Sequence, residues 1–304
     1  MADFKTRPYY YLFNGAIVIY AAGLLLRGAW PEACLSLGAV SLIHLVTRRA
    51  PKDQVGGLEG LVYPVVMTLF FFGTASTIPL LRPEVKYDQM LQAIDQRFFF
   101  DIEAWVAAVS RPWLSDILSF CYLLYGPLMY SSIIYYAFFK KELGLPYFGG
   151  LFCIFGFGFL GYLAVPAEGP HFAKMAEVMP LIASGPFHTF ADPLIKDGCT
   201  RSDVFPSLHI AISWYTLIFM LVHSRRLFWL WLLPVAGLSL ATVYLFYHYQ
   251  IDLLAGLGLA LIAFAFSRMV WRENSKQCAA TAPQPGQYAD ATSMTSQRLG
   301  RLAD

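Results

Sequence analysis

The chain has 304 residues, 57% of them hydrophobic and only 14% charged, against about a quarter charged in an ordinary soluble domain. A net charge of +2 excludes the basic footprint of a nucleic-acid binder, and five cysteines without paired spacing indicate neither a zinc knuckle nor a disulfide framework. The 16% aromatic content suits belts at headgroup level, so the composition is that of an integral membrane protein.

A span needs about 20 mostly apolar residues to cross a hydrocarbon core of roughly 30 Å. In chain order the sequence predicts eight, at 9–26, 31–47, 58–80, 117–139, 147–165, 206–222, 227–246 and 249–270. The second is diluted by Glu32, Ser36, Ser41 and His44. No cleavage site follows the first, which reads as a retained span rather than a signal peptide. Residues 87–110 are interrupted by Asp88, Asp95, Arg97, Asp101 and Glu103. Yet Leu91, Ile94, Phe98, Ile102, Trp105 and Val109 recur at spacings of three and four, which predicts one helix lying in the outer interface. The 166–205 loop, rich in Pro, Gly and polar residues, is placed to cover a site, and the Ala/Thr/Ser/Gln-rich segment from Asn274 reads as disordered. The expected organisation is an N-terminal helix pair over 1–57, a membrane domain over 58–272 and a cytoplasmic tail over 273–304.

An even number of spans puts both termini on one side. With both ends inside, the inner segments hold fourteen Lys and Arg and the outer segments eight. The short inner loops at Lys140-Lys141 and Arg225-Arg226 are purely basic, so the termini are expected to be cytoplasmic.

Two clusters at span ends carry chemistry. Phe205-Pro206-Ser207-Leu208-His209 opens the sixth span, where free helix N–H groups could seat a phosphate with Ser207 beside it. His248-Tyr249-Gln250-Ile251-Asp252 opens the eighth, and the four-residue spacing puts His248 and Asp252 on one helix face. Between the histidines lie two spans of about 20 residues, each climbing roughly 30 Å, so the chain goes down and returns. Both histidines should end at the same outer face. Together they suit phosphoryl transfer through a covalent intermediate. His248, held in the right tautomer by Asp252, attacks phosphorus, and His209 serves as acid and then base. Two other readings stay open at this point: satisfied polar residues at span ends, and a zinc site built from His209, His248 and Asp252. His44, His188 and His223 have no sequence partners and read as satisfied or solvated, while Gly156, Gly158 and Gly161 suit close helix packing.

FPSLH followed by HYQID resembles the type 2 phosphatidic acid phosphatase superfamily, and is more closely similar to its inositol phosphorylceramide synthase (aureobasidin-resistance) branch. The superfamily's second motif reads Pro-Ser-Gly-His, and Leu208 replaces the Gly as in that branch. In the third motif His248 and Asp252 match, while Ala241 and Thr242 stand where Ser-Arg is usual. The resemblance, over roughly 85–270, implies an all-α membrane fold in which a six-helix core is preceded by two extra N-terminal helices. It implies that His209 is the acid/base and His248 the nucleophile, with Asp252 its partner, and it implies no cofactor or metal. For the first motif, Arg111-Pro112 lacks the required Lys, since Ala104 occupies that place, and Ser224-Arg225 has Trp231 where a histidine belongs. The positional equivalent is the stretch from Gly161 through Glu168-Gly169-Pro170-His171. His171 sits about where the phosphate-binding Arg would be, and Lys174, Lys196 and Arg201 are further cations of that loop.

The expected substrate-binding set is therefore Ser207, His171, Lys174 and Arg201. The leading expectation is a lipid phosphotransferase at the outer leaflet, moving a phospho-headgroup from a phospholipid to a lipid alcohol. A lipid phosphate phosphatase, using water as acceptor, shares the first half-reaction. A channel or transporter is the rival class, against which no span carries a mid-membrane charge. A membrane scaffold would tolerate loss of both histidines.

Overall fold

In lipid a backbone finds hydrogen-bond partners only within itself, so long apolar runs become helices. The computed structural model describes residues 7–51, 54–83 and 86–281, and every regular element among them is helical. Lys5, Lys52, Arg298 and Arg301, counted in the charge asymmetry, lie outside these residues.

The chain opens with two helices, α1 (Pro8–Leu26) and α2 (Trp30–Arg49). Then come α3 (Gly57–Leu81), α4 (Asp88–Phe98), α5 (Ile102–Val109), α6 (Pro112–Leu123), α7 (Tyr125–Ile134) and α8 (Lys141–Ala164). The connection that follows contains α9 (Pro170–Ala173), α10 (Met175–Val178) and α11 (Pro186–Gly198), and the chain finishes with α12 (Leu208–His223), α13 (Arg225–Tyr244) and α14 (Gln250–Thr281). Six helices among the described residues are long and apolar enough to cross a membrane: α2, α3, the run Pro112–Phe139, α8, α13 and Gln250–Lys276 of α14. Tyr10–Leu26 and Leu208–His223 are apolar but shorter. The run 112–139 is broken between α6 and α7 because Pro127 has no N–H to give the carbonyl of Leu123, and it ends in a π-helical turn over Tyr135–Phe139.

α8 is the central helix, packed against α1, α12 and α14 and buried along almost its whole length. Its glycines set how close those neighbours come. A Cβ on Gly158 would lie 2.4 Å from the Leu208 side chain, and one on Gly161 would lie 2.3 Å from Cδ of Pro206. Those two positions let the Pro206-Ser207-Leu208 segment rest directly on α8, which fixes where α12 begins.

Three sequence expectations change. The 87–110 segment is two helices, because Phe99 is extended and Asp101 then caps α5 by accepting from the Ala104 N–H at 3.0 Å. The 166–205 connection is folded into short helices rather than irregular, with α11 packed on α6. Helix α14 continues to Thr281, so the segment expected as a disordered tail from Asn274 begins helical; Gln, Lys and Ala at 276–280 are good helix formers. The rest of that tail, 282–304, lies outside the described residues.

Candidate functional site

The site forms where α12 and α14 begin. Ser207 is the N-cap of α12, its Oγ accepting from the Ile210 N–H at 3.4 Å, and its own N–H donates to the carbonyl of Asp252 at 3.2 Å. Asp252 occupies the third position of α14, and its Oδ2 reaches back to accept from the N–H of Tyr249 at 2.8 Å, the carboxylate half of a capping box. The two helix starts are thus hydrogen-bonded to each other. A Cβ on Gly256 would meet the Ser207 carbonyl at 2.5 Å, so this approach requires glycine there.

His248 lies in the turn before α14, buried, with both ring nitrogens engaged. Nδ1 is 3.1 Å from the Val204 carbonyl oxygen and 3.4 Å from Oδ2 of Asp252. Nε2 is 3.2 Å from Oγ of Ser207 and 3.3 Å from Nδ1 of His209. A carbonyl and a carboxylate oxygen both accept, so the proton of a neutral ring belongs on Nδ1, and Nε2 carries the lone pair. Nε2 then accepts, and both of its neighbours can supply the proton: the Ser207 hydroxyl at 3.2 Å and Nδ1 of His209 at 3.3 Å. Burial pulls the His248 pKa down from 6.5 to about 4, against the opposing pull of Asp203 and the Val204 carbonyl, so the ring is neutral at physiological pH. His209 is wedged between two aromatic rings, with centroid distances of 4.8 Å to Tyr122 and 4.5 Å to Tyr125.

Two cavities meet at this pair. One, about 280 Å³, has His209 and Asp203 at its polar end and is otherwise lined mainly by apolar and aromatic side chains of α3, α6, α7 and α11. Phe72, Tyr130 and Leu194 at its margin are exposed, so it opens to the outside of the helix bundle. The other, about 270 Å³, is lined by His248, Lys174, Gln250, Gln96 and Asp101 among others and is much more polar.

Of the residues expected to bind substrate, Ser207 and Lys174 are at the site. Lys174 lines the polar cavity and pairs with Glu103 and, at 3.3 Å, with Glu177. Burial lowers its pKa, but those two carboxylates outweigh burial and raise it, so it stays charged. His171 is turned away from both cavities. It is fully buried, its Nδ1 is 3.1 Å from the Leu245 carbonyl and its ring stacks on Tyr247 at 4.5 Å. Its Nε2 faces Asp192 at 3.6 Å. Arg201 lays its guanidinium over the Phe172 ring, 4.8 Å from the centroid, and lines neither cavity. Lys196 is taken by Asp192 at 2.6 Å. Among the described residues no three His, Cys, Asp or Glu side chains converge as metal ligands. Asp252 and His209 approach opposite nitrogens of His248, so the three do not form a zinc set.

Three carboxylates that sequence reasoning passed over shape the site. Asp88 accepts from the N–H groups of Glu168 and Gly169, at 3.1 and 2.9 Å, and from the Tyr249 hydroxyl at 3.0 Å. Asp95 accepts from the N–H groups of Gln250 and Ile251 at 2.6 and 2.9 Å. Helix α4 thereby clamps both the 168–169 turn and the start of α14. The signal was present: Asp88, Leu91 and Asp95 share one face at spacings of three and four, and they are the buried residues of that helix. The third, Asp203, precedes Val204, and its carboxyl is held by the hydroxyl and backbone N–H of Thr200. Gly169, at φ +83° with the Tyr247 carbonyl 2.6 Å from where a Cβ would stand, allows the turn that Asp88 grips.

No curated protein and no solved structure matches the chain. A family model described as the PAP2 superfamily matches residues 89–266, more than half of the chain and the whole of the region that builds both cavities apart from α3, and the chain therefore belongs to the PAP2 superfamily.

Proposed function

We infer from this membership that the chain is a membrane phosphatase or phosphotransferase acting on lipid phosphates. We propose that it is a transferase of the inositol phosphorylceramide synthase type, with eight spans, cytoplasmic termini and the histidine pair on the exoplasmic side. In this reading Nε2 of His248 attacks the phosphorus of a phospholipid donor and the P–O bond to the lipid breaks. His209 gives its Nδ1 proton to the leaving oxygen. A lipid alcohol then attacks the phosphohistidine, returning its proton to His209. Ser207, the start of α12 and Lys174 hold the phosphate, and Asp252 steadies the positive charge that His248 develops.

The observation that carries this reading is the pair of acceptors on Nδ1 of His248, which leaves the lone pair on Nε2, with Nδ1 of His209 3.3 Å from it. Leu208, in place of the usual glycine, favours transfer over hydrolysis. The test is rapid acid-free quenching of purified protein with headgroup-labelled phospholipid. An acid-labile adduct should form in the wild type and be absent from His248→Ala. His209→Ala should form it only from a donor with an activated leaving group. A new phosphodiester in the chase supports transfer and free phosphate supports hydrolysis. Turnover with no adduct at any time point would defeat the covalent mechanism.

A further inference from the structure

Glu32 and Ser36, which dilute the second span, play no part in the chemistry above. With Leu35 they belong to one wall of a groove of about 340 Å³, whose other wall includes Leu69, Gly73 and Thr77 of α3. These α3 positions lie on the opposite side of that helix from Met67, Thr68 and Phe71, which wall the cavity beside His209, so the two spaces are separate. Leu35 and Leu69 are exposed, and the groove therefore opens sideways, away from the helix bundle. A Cβ on Gly73 would meet nothing within 4 Å, so a side chain there would enter open space. Oγ1 of Thr74 lies 3.4 Å from Oγ1 of Thr200, and Arg82 reaches the Leu163 carbonyl at 3.5 Å, which sets this end of α3 level with the histidine pair.

An ionisable side chain within a span is costly unless it is matched, and Glu32 is half-buried there. Its carboxyl has no ion pair or hydrogen bond among the described residues. The hydroxyl of Ser36 is spent on the Glu32 backbone carbonyl at 2.9 Å. Thr77 is only 7% exposed, and its hydroxyl also has no partner among the described residues. A buried hydroxyl without a partner is costly, so a ligand that brings hydrogen-bond donors gains at both groups. Neither lysine, arginine nor histidine lines the groove, and an anionic head would face Glu32 without a counter-charge. A primary ammonium brings the opposite charge and three N–H donors, enough for the carboxylate and the hydroxyl together. We propose that the groove between α2 and α3 binds a phospholipid whose head ends in a primary ammonium, drawn from the leaflet on the histidine side. The ammonium donates to Glu32 and Thr77, and one acyl chain lies along Leu35 and Leu69. All of these residues precede residue 89, where the family match begins, so the site is an addition to the shared core and holds whatever reaction the histidines perform.

The test uses the full-length protein in phosphatidylcholine vesicles that contain a trace of phosphatidylethanolamine or of phosphatidylglycerol, each with a photoreactive group at the same acyl position. After illumination, the quantity read is the ratio of the two lipids' adducts on peptides of α2 and α3. The wild type should favour phosphatidylethanolamine by about 10- to 100-fold, the scale of a hydrogen bond to a charged group. In Glu32→Gln the ratio should fall about tenfold, since a neutral acceptor replaces a charged one. Gly73→Leu places a side chain in the open groove, so it should fold and lose the α2 and α3 adducts of both lipids while adducts elsewhere on the protein persist. It also keeps the test decisive if Glu32→Gln does not fold. A wild type labelled alike by both lipids, a folded Glu32→Gln that keeps the wild-type ratio, or a Gly73→Leu labelled like the wild type overturns the proposal. So do protein–protein adducts through α2 and α3 in place of lipid adducts, which would assign the groove to a second copy of the chain.

Discussion

Replacing Asp252 with Asn removes a charge while leaving an acceptor oxygen in place, and the geometry sets how much that should cost. In the serine-protease triad the comparable change costs about 10⁴ in turnover because the histidine adopts the wrong tautomer. Here the tautomer has a second guarantor, since the Val204 carbonyl is the nearer acceptor, at 3.1 Å against 3.4 Å for the carboxylate. What Asp252→Asn loses is therefore mainly charge. A fully ionised carboxylate 3.4 Å from a unit positive charge attracts it by about 5 kcal/mol at an effective dielectric constant of about 20, an upper bound here because the burial of Asp252 opposes its ionisation. If roughly half a charge develops on the ring in the transition state, about 2.5 kcal/mol is lost, which is on the order of 10²-fold in kcat. Asparagine can still accept from the Tyr249 N–H, so thermal stability in detergent should stay near wild type. Asp252→Ala should lose at least as much activity and also melt earlier, by the ~1 kcal/mol that a helix cap contributes. The assay is single-turnover adduct formation alongside a thermal melt for each variant. A loss of 10⁴ or more for Asn would show that Val204 does not hold the tautomer, and near-normal turnover would show that the carboxylate does not act on His248 at all.

The acid limb of kcat/KM should lie well below the usual histidine value, because burial holds His248 neutral down to about pH 4. Folding follows with the same sign: the unfolded chain takes up this proton near pH 6.5 and the folded one only near 4, so His248's contribution is complete above 6.5 and fades as pH falls between them. A melting temperature in detergent that is unchanged between pH 7 and 4.5 in the wild type, with His248→Ala as reference, would contradict this. Asp95→Asn turns an amide NH₂ towards one of two backbone N–H groups and should destabilise by about 1–3 kcal/mol, read as a lowered melting temperature; an unaltered melt would mean that α4 does not clamp α14. Glu177→Cys, at a side chain 66% exposed, should react with an impermeant thiol reagent in intact cells. Labelling only after permeabilisation would reverse the orientation.

Helices were legible because length and apolarity suffice to find them, and all eight apolar runs are helical. The meeting of the two histidines was legible for a topological reason, since two intervening helices return the chain to the same end. The tautomer-fixing role of Val204 was not, because a backbone carbonyl has no signature in the sequence. Asp88 and Asp95 were misread for a related reason. An apolar-periodicity argument treats a carboxylate as an interruption, whereas these two sit on the buried face and satisfy N–H groups some 80 and 155 residues away. His171 was chosen by position relative to a motif, and its ring is drawn off by the Leu245 carbonyl and Tyr247. The break at Phe99 escaped notice because the apolar stripe continues in phase across it.

The contact between Nε2 of His248 and Nδ1 of His209 means that the resting site is latched upon itself. On the proposed mechanism the nucleophilic lone pair would be held by a hydrogen bond from Ser207 or His209, so an electrophile that cannot displace that donor would find no free nitrogen. Admission is then an exchange of one hydrogen bond for two new interactions, phosphorus on one ring and an ester oxygen on the other. On that mechanism a molecule that offers only one of the two would leave the latch closed, which would guard the nucleophile against stray chemistry without a moving lid.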